Sequence, residues 1–199
     1  SVAGAGDVNG DGYGDVIVGA AFYDDGQTDE GAAFLFLGSA TGIADGNPST
    51  AHAQLESNQA AASLSRVASA GDVNGDGFSD VIAGASGFDN GQTNEGAALV
   101  FLGGATGIAD ANPTNTASRL ESNQIDARLG SSVASAGDVN ADGYGDVIVG
   151  APFYDNGQTN EGAAFLFHGS ADGIPDAIPL TANTQLESNQ VSAFLGWSV

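Results

Sequence analysis

The sequence contains no cysteine and no lysine, and its only cations besides two histidines are Arg66, Arg119 and Arg128. Without cysteine there is no disulfide framework and no Cys–His pair, and thiols carry no information about the redox compartment. Against three cations stand 25 acidic residues, a formal net charge of −22. Nucleic acid and anionic membrane surfaces are held through basic patches, so neither is expected as a partner. No apolar run approaches the roughly 20 residues of a membrane-spanning helix, so no membrane insertion is expected. No nucleophile-elbow pattern is present either. His52 and His168 fall at non-equivalent places in the repeats described below. No catalytic residue is therefore assigned, and a hydrolase remains only as a second class of function. Aromatic residues are scarce, at 8%, and acidity with few aromatics can mark disorder. Here 42% of the residues are hydrophobic and fall in strand-length runs, which argues for a folded chain. Its 199 residues suit one domain of ordinary size. No signal peptide or initiator Met opens the chain, which reads as a processed, excised or designed segment.

What the sequence does have is one stretch written three times: Asp7-Val8-Asn9-Gly10-Asp11-Gly12-Tyr13-Gly14-Asp15, then Asp72 to Asp80, then Asp138 to Asp146. Side-chain oxygens recur at positions 1, 3, 5 and 9: Asp7, Asn9, Asp11, Asp15; Asp72, Asn74, Asp76, Asp80; Asp138, Asn140, Asp142, Asp146. Position 7, held by Tyr13, Phe78 and Tyr144, can offer its backbone carbonyl. A hard cation such as Ca²⁺ takes six to eight oxygens, and alternate residues of a tight loop can aim theirs at one centre. An EF-hand would need a Glu at position 12, where Val18, Ala83 and Val149 stand, and a helix on each side. A dockerin-type loop would also lead into a helix, whereas Val16-Ile17-Val18 reads as a strand. An Asx-rich turn without metal is the bland alternative. Three carboxylates in each of three copies favour Ca²⁺, about one per repeat, because like charges that close repel unless a cation lies between them.

The repeat sets the architecture. Strand-length runs are expected first at Leu129–Ser135, with partial copies at Ser1–Ala3 and Phe194–Val199. Second strands are expected at Asp15–Ala20, Asp80–Ala85 and Asp146–Ala151, and third strands at Ala32–Leu37, Ala97–Leu102 and Ala163–His168. Shorter fourth strands are expected at Ala53–Glu56, Ser118–Glu121 and Thr184–Glu187. The third strands do not alternate apolar with polar, which implies burial on both faces. Small antiparallel sheets stacked radially meet that demand, as in the blades of a β-propeller. The repeats run about 1–65, 66–131 and 132–197, with 198–199 overlapping at the seam.

These residues resemble the FG-GAP repeat of integrin α-subunit propellers and of many bacterial surface proteins. The FG corresponds to Leu64-Ser65, Leu129-Gly130 and Leu195-Gly196, and the GAP to Gly19-Ala20-Ala21, Gly84-Ala85-Ser86 and Gly150-Ala151-Pro152, of which only the last is intact. The resemblance implies an all-β propeller of integrin-α type with three four-stranded antiparallel blades per chain. It also implies a non-enzymatic calcium-binding scaffold or adhesion module, extracellular or at the cell surface, with a protein or glycan as possible ligand. Family propellers usually close with seven blades, and three cannot close a ring. A head-to-tail homodimer closing six blades is therefore expected, with a trimer of nine as the alternative. An engineered or excised unit whose only task is assembly is the alternative function.

Two further segments recur. Asp24–Gly31, Asp89–Gly96 and Asp155–Gly162 read as the connection between second and third strands, or alternatively as a second cation site or a sugar-binding rim. Leu55-Glu56-Ser57-Asn58-Gln59 and its copies at Leu120 and Leu186 are expected to pack the Leu between blades and to turn the chain with the polar residues.

Overall fold

The computed structural model describes all 199 residues and contains twelve strands in three four-stranded antiparallel sheets. The first sheet holds β1 (Val2–Gly6), β2 (Asp15–Ala20), β3 (Ala32–Phe36) and β4 (Ala53–Glu56). The second holds β5 (Leu64–Gly71), β6 (Asp80–Ala85), β7 (Ala97–Phe101) and β8 (Ser118–Glu121). The third holds β9 (Ser132–Gly137), β10 (Asp146–Ala151), β11 (Ala163–Phe167) and β12 (Thr184–Glu187). Each sheet is a simple meander, so every strand pairs with its neighbour in sequence. The only helical pieces are two 3₁₀ turns, Pro48–Thr50 and Pro179–Thr181, and no helix is long and apolar enough to cross a membrane.

The sheets stack as propeller blades. One apolar core lies between the first two blades, where Ile17, Leu35 and Leu55 meet Val81, Leu99 and Phe101. A second lies between blades two and three, where Ile82, Val100 and Leu120 meet Val147, Phe165 and Phe167. The alternation of side chains along each middle-blade strand feeds both cores, so β6 and β7 are buried throughout. On the faces turned away from the middle blade, Ala32, Phe34 and Ala164 are still buried, but Val16, Val18, Ile148 and Leu166 are partly or wholly exposed. The continuous apolar runs are thereby explained, since a blade needs both neighbours to cover it.

The second and fourth strands begin and end where the sequence pattern places them. The third strands each stop one residue earlier, at Phe36, Phe101 and Phe167. The first strands differ more. β5 starts at Leu64, which pairs with Ala85, but β9 starts only at Ser132. Ser131, the residue that has no counterpart after Ser65, closes a turn by donating its N–H to Arg128 O (3.2 Å). Leu129 then forms only an isolated bridge with Gly96. Phe194–Val199 is likewise no strand: Trp197 N–H turns back to Phe194 O (3.2 Å), and Leu195 bridges only to Gly162. Of the three recurrent leucines, Leu55 and Leu120 are buried between blades, while Leu186 on the outer face of blade three is 50% exposed.

Candidate metal centre

A break in strand register stands at the mouth of each Asp-rich loop. It falls between Gly4 and Gly6, between Ser69 and Gly71, and opposite Asp146 and Val147. A bulge bends its strand and re-aims the chain, and here it delivers the first Asp of the loop. The carboxylate of Asp7 becomes a hub: Oδ1 accepts the N–H groups of Gly10 (2.7 Å) and Asp11 (3.1 Å), and Oδ2 that of Gly12 (2.8 Å). Asn9 Oδ1 accepts from Asp11 N–H (3.1 Å), its amide donates to Asp11 Oδ2 (3.0 Å), and Asp11 Oδ1 accepts from Tyr13 N–H (2.9 Å). Asp72, Asn74 and Asp76 repeat this set in blade two. Asp138, Asn140 and Asp142 repeat most of it in blade three, where the Asn140 amide also meets His168 Nδ1 (3.2 Å).

The ninth residue behaves differently. Asp15, Asp80 and Asp146 are buried, and each accepts two backbone N–H bonds. One comes from within the loop, from Val8, Val73 or Val139. The other comes from Gly38, Gly103 or Gly169, just past the third strand. This carboxylate therefore ties the loop to the β3–β4 connection of its blade and to the matching ones. At Asp80 burial outweighs those bonds and pushes the pKa up to about 6, with Asp76 and Asp72 pushing the same way.

Whether these residues fit Ca²⁺ depends on donor chemistry and on convergence. The donors are all hard oxygens, as Ca²⁺ requires, and each loop sets three carboxylates within nine residues. Convergence is less complete, because no three Asp, Glu or His side chains stand close enough to share one ion. Positions 1, 3 and 5 are brought together around the loop amides, and position 9 sits beneath them, buried. The donor set fits; a shared centre requires the side chains of Asp11 and its equivalents to turn from the amides.

Position 7 has a role that the spacing of oxygens did not reveal. The ring of Phe78 presses on Gly10 of the preceding blade, and that of Tyr144 on Gly75. Tyr13 has no preceding blade to meet and is 42% exposed. The signal was present in the sequence as an aromatic residue always matched to a small one at position 4.

The Asp24–Gly31 segment and its copies join β2 to β3, β6 to β7 and β10 to β11. Their Glu residues, Glu30, Glu95 and Glu161, are fully buried and take backbone N–H bonds from Asp25 (2.7 Å), Asn90 (2.5 Å) and Asn156 (2.6 Å). They are internal braces of the connection. Among the cations, Arg119 pairs with Glu121 (3.2 Å), but Arg66 and Arg128 pair with no carboxylate. Both line one cavity with Ser86, Ser131, Phe153 and Trp197, Arg128 lying 5.4 Å from the Phe153 ring centroid.

The profile of the FG-GAP repeat matches residues 1–36, 65–101 and 129–167, more than half of the chain, each match running from the first strand through the Asp-rich loop to the third. The chain belongs to the FG-GAP repeat family. Its similarity to integrin alpha-5 of Xenopus laevis is 34% identity over 135 residues, 65% of this chain and 12% of that protein. Similarity to integrin alpha pat-2 of Caenorhabditis elegans is 55% over 47 residues, 24% of this chain and 4% of that protein. Phosphatidylinositol-glycan-specific phospholipase D of Bos taurus is 30% identical over 200 residues, 97% of this chain and 23% of that protein. The FG-GAP chain thus spans less than a quarter of the length of these relatives.

Proposed function

We propose that this FG-GAP chain is a calcium-stabilised, non-enzymatic propeller scaffold of a cell-surface or extracellular protein, presenting its loops to a protein or glycan ligand. The observation that carries the reading is the loop itself: three copies of one all-oxygen donor set, each anchored by a buried Asp at position 9. The similarity to integrin α chains supports the adhesion side of the reading. When bound, Ca²⁺ neutralises the loop carboxylates; the chain's own part is to hold the loop in its curl and to tie it to the β3–β4 connection and its equivalents. The cavity between Arg66 and Arg128 is the place where an otherwise acidic surface can receive an anionic group of a ligand. Incomplete cages of extracellular modules bind Ca²⁺ at roughly 10⁻⁴ to 10⁻³ M, so occupancy is expected outside cells. A ligand that binds only the native state raises its stability by mass action. Calorimetric titration should find about three sites, and excess chelator should lower the melting temperature. An unchanged melting curve in chelator refutes the calcium reading.

The similarity to a phospholipase D favours one second reading, that these repeats serve as an accessory domain of a hydrolase. Selective capture of a protein or glycan from an extracellular array, with no retention on glycosylphosphatidylinositol-bearing vesicles, supports the scaffold; retention on those vesicles with no capture from the array supports the accessory domain.

A further inference from the structure

Asparagine precedes glycine at four places in the chain, in two settings. Asn9-Gly10 and Asn74-Gly75 lie in the Asp-rich loops, where the third copy has Asn140-Ala141. Asn90-Gly91 and Asn156-Gly157 lie in the β6–β7 and β10–β11 connections, where the first copy has Asp25-Gly26. An asparagine so placed can lose its side-chain amide when the glycine nitrogen attacks its own neighbour's Cγ. The attack is intramolecular, so its rate depends on whether that nitrogen is free to approach. Glycine obstructs the approach least, having no Cβ.

In the Asp-rich loops the nitrogen is held. Gly10 N–H donates to Asp7 Oδ1 and Gly75 N–H to Asp72 Oδ1, both at 2.7 Å. The amides of Asn9 and Asn74 are held as well, each donating to the carboxylate two residues on and accepting from its N–H. The rings of Phe78 and Tyr144 press on the same two glycines. In the connections the setting is reversed. Gly91 and Gly157 are exposed, and their N–H groups make no hydrogen bond within the chain. Nothing stands within 4 Å of where a Cβ would be at either glycine. One bond holds each side-chain amide: Asn90 Nδ2 donates to Glu121 Oε2 (2.8 Å), and Asn156 Nδ2 to Glu187 Oε2 (2.5 Å).

We propose that Asn90 and Asn156 are sites of spontaneous deamidation, which brings blades two and three to the acidic state that Asp25 gives blade one. A bond forms from the glycine nitrogen to Cγ, and the Cγ–Nδ2 bond breaks. The proton of the glycine nitrogen passes through solvent to the leaving nitrogen, which departs as ammonia. Water then opens the cyclic imide at one of its two carbonyls, leaving aspartate or, with the chain rerouted through Cγ, isoaspartate. Nothing is oxidised or reduced, and each event adds one negative charge to a chain already at −22. Blade one shows how the acid is received. Gln54 Nε2 donates to Asp25 Oδ2 (2.7 Å) and reaches Glu56 Oε2 (3.4 Å), so one amide serves two carboxylates. Gln54 stands opposite Phe34 in the sheet, as Arg119 stands opposite Leu99 and Gln185 opposite Phe165. Arg119 already pairs with Glu121, and Gln185 Nε2 donates to Glu187 Oε2 (2.8 Å), so each blade has a donor in place for the new carboxylate.

Peptide mapping by mass spectrometry tests this on the full chain, incubated at neutral pH in excess chelator so that no metal alters the loops. The same chain unfolded in urea is the reference, because there all four steps should react at similar rates. In the native chain Asn90 and Asn156 should stay within a few-fold of their unfolded rates. Asn9 and Asn74 should slow by about tenfold or more, since an N–H held by a carboxylate must first be freed. Native Asn9 or Asn74 reacting as fast as Asn90 overturns the proposal, as does equal protection of all four. Asp72→Ala should release Asn74 toward its unfolded rate while Asn9 stays protected; an unchanged Asn74 counts against the carboxylate as the guard. Asn90→Asp and Asn156→Asp, which install the product directly, should keep the circular dichroism of the parent. Loss of the fold in both would contradict the reception that blade one displays.

Discussion

The ring of Phe78 lies so close to Gly10 of the preceding blade that a Cβ there would stand 2.7 Å from it. Gly10 also holds φ at +72°, a conformation that costs an L side chain about 1–2 kcal/mol. Blade two repeats the pair as Gly75 and Tyr144, with φ at +73° and a Cβ distance of 2.8 Å. Gly10→Ala and Gly75→Ala should therefore each destabilise the chain by about 1–3 kcal/mol, combining backbone strain with overpacking. Gly12, with φ at +89° but open space around it, separates the two causes. Gly12→Ala should cost only the backbone share, and urea denaturation of the three variants checks the ranking.

Gly84 presents the reverse case. Its φ is ordinary, yet a Cβ would stand 2.1 Å from the backbone oxygen of Gly130, and Gly150 meets Gly196 in the same way at 2.0 Å. Here the GAP glycine of a blade touches the FG glycine that follows it, backbone to backbone, and neither side can rotate away. Overpacking of this kind costs about 1–3 kcal/mol where neighbours can shift and more where they cannot. Gly84→Ala should exceed Gly10→Ala in a urea titration, or fail to fold. A cost below that of Gly10→Ala would mean that the two backbones part easily.

These two contacts mark the limit of what could be read from the residues alone. Strand identity was legible because apolar runs such as Ala32–Phe36 are long, flanked by Gly and Asp, and repeated. Blade stacking followed from their lack of alternation. The start of β9 was not legible, because the effect of Ser131 depends on a turn to Arg128 that no periodicity encodes. In the loops, the oxygen positions stood out, but the separate duty of Asp15, Asp80 and Asp146 did not. It depends on Gly38, Gly103 and Gly169, which lie 23 residues away along the chain.

That division of duty within the loop predicts two kinds of variant. Asp76 is exposed, and its side chain bonds only inside the loop, whereas Asp80 is buried and holds the N–H groups of Val73 and Gly103. Asp80→Ala orphans both amides, at about 1–3 kcal/mol each. It should therefore lower stability whether or not calcium is present. Asp76→Ala should matter mainly through the metal, so its melting temperature should approach that of the parent protein once chelator is in excess. Equal losses for both variants in chelator would remove the distinction.

The last prediction concerns pH. Glu95 is fully buried in the β6–β7 connection, and burial raises its pKa above the usual carboxylate value. The N–H bonds from Asn90 and Asn123 and the nearby Glu121 shift it further in opposing directions, without overturning the rise. A carboxyl group whose pKa is higher folded than unfolded binds its proton more tightly in the native state. Its contribution to stability is therefore fully present below the unfolded pKa and is lost as pH rises through the folded one. Acidification from neutrality toward the ordinary Glu value of about 4.3 should accordingly strengthen the fold through this residue. Glu95→Gln removes the titration while keeping one oxygen to accept from Asn90. The stability of the parent minus that of the variant, followed in chelator so that the loops hold no metal, should rise as pH falls through that window and level off below it. A difference that falls instead would mean that the amides hold Glu95 as an anion more strongly than burial opposes it.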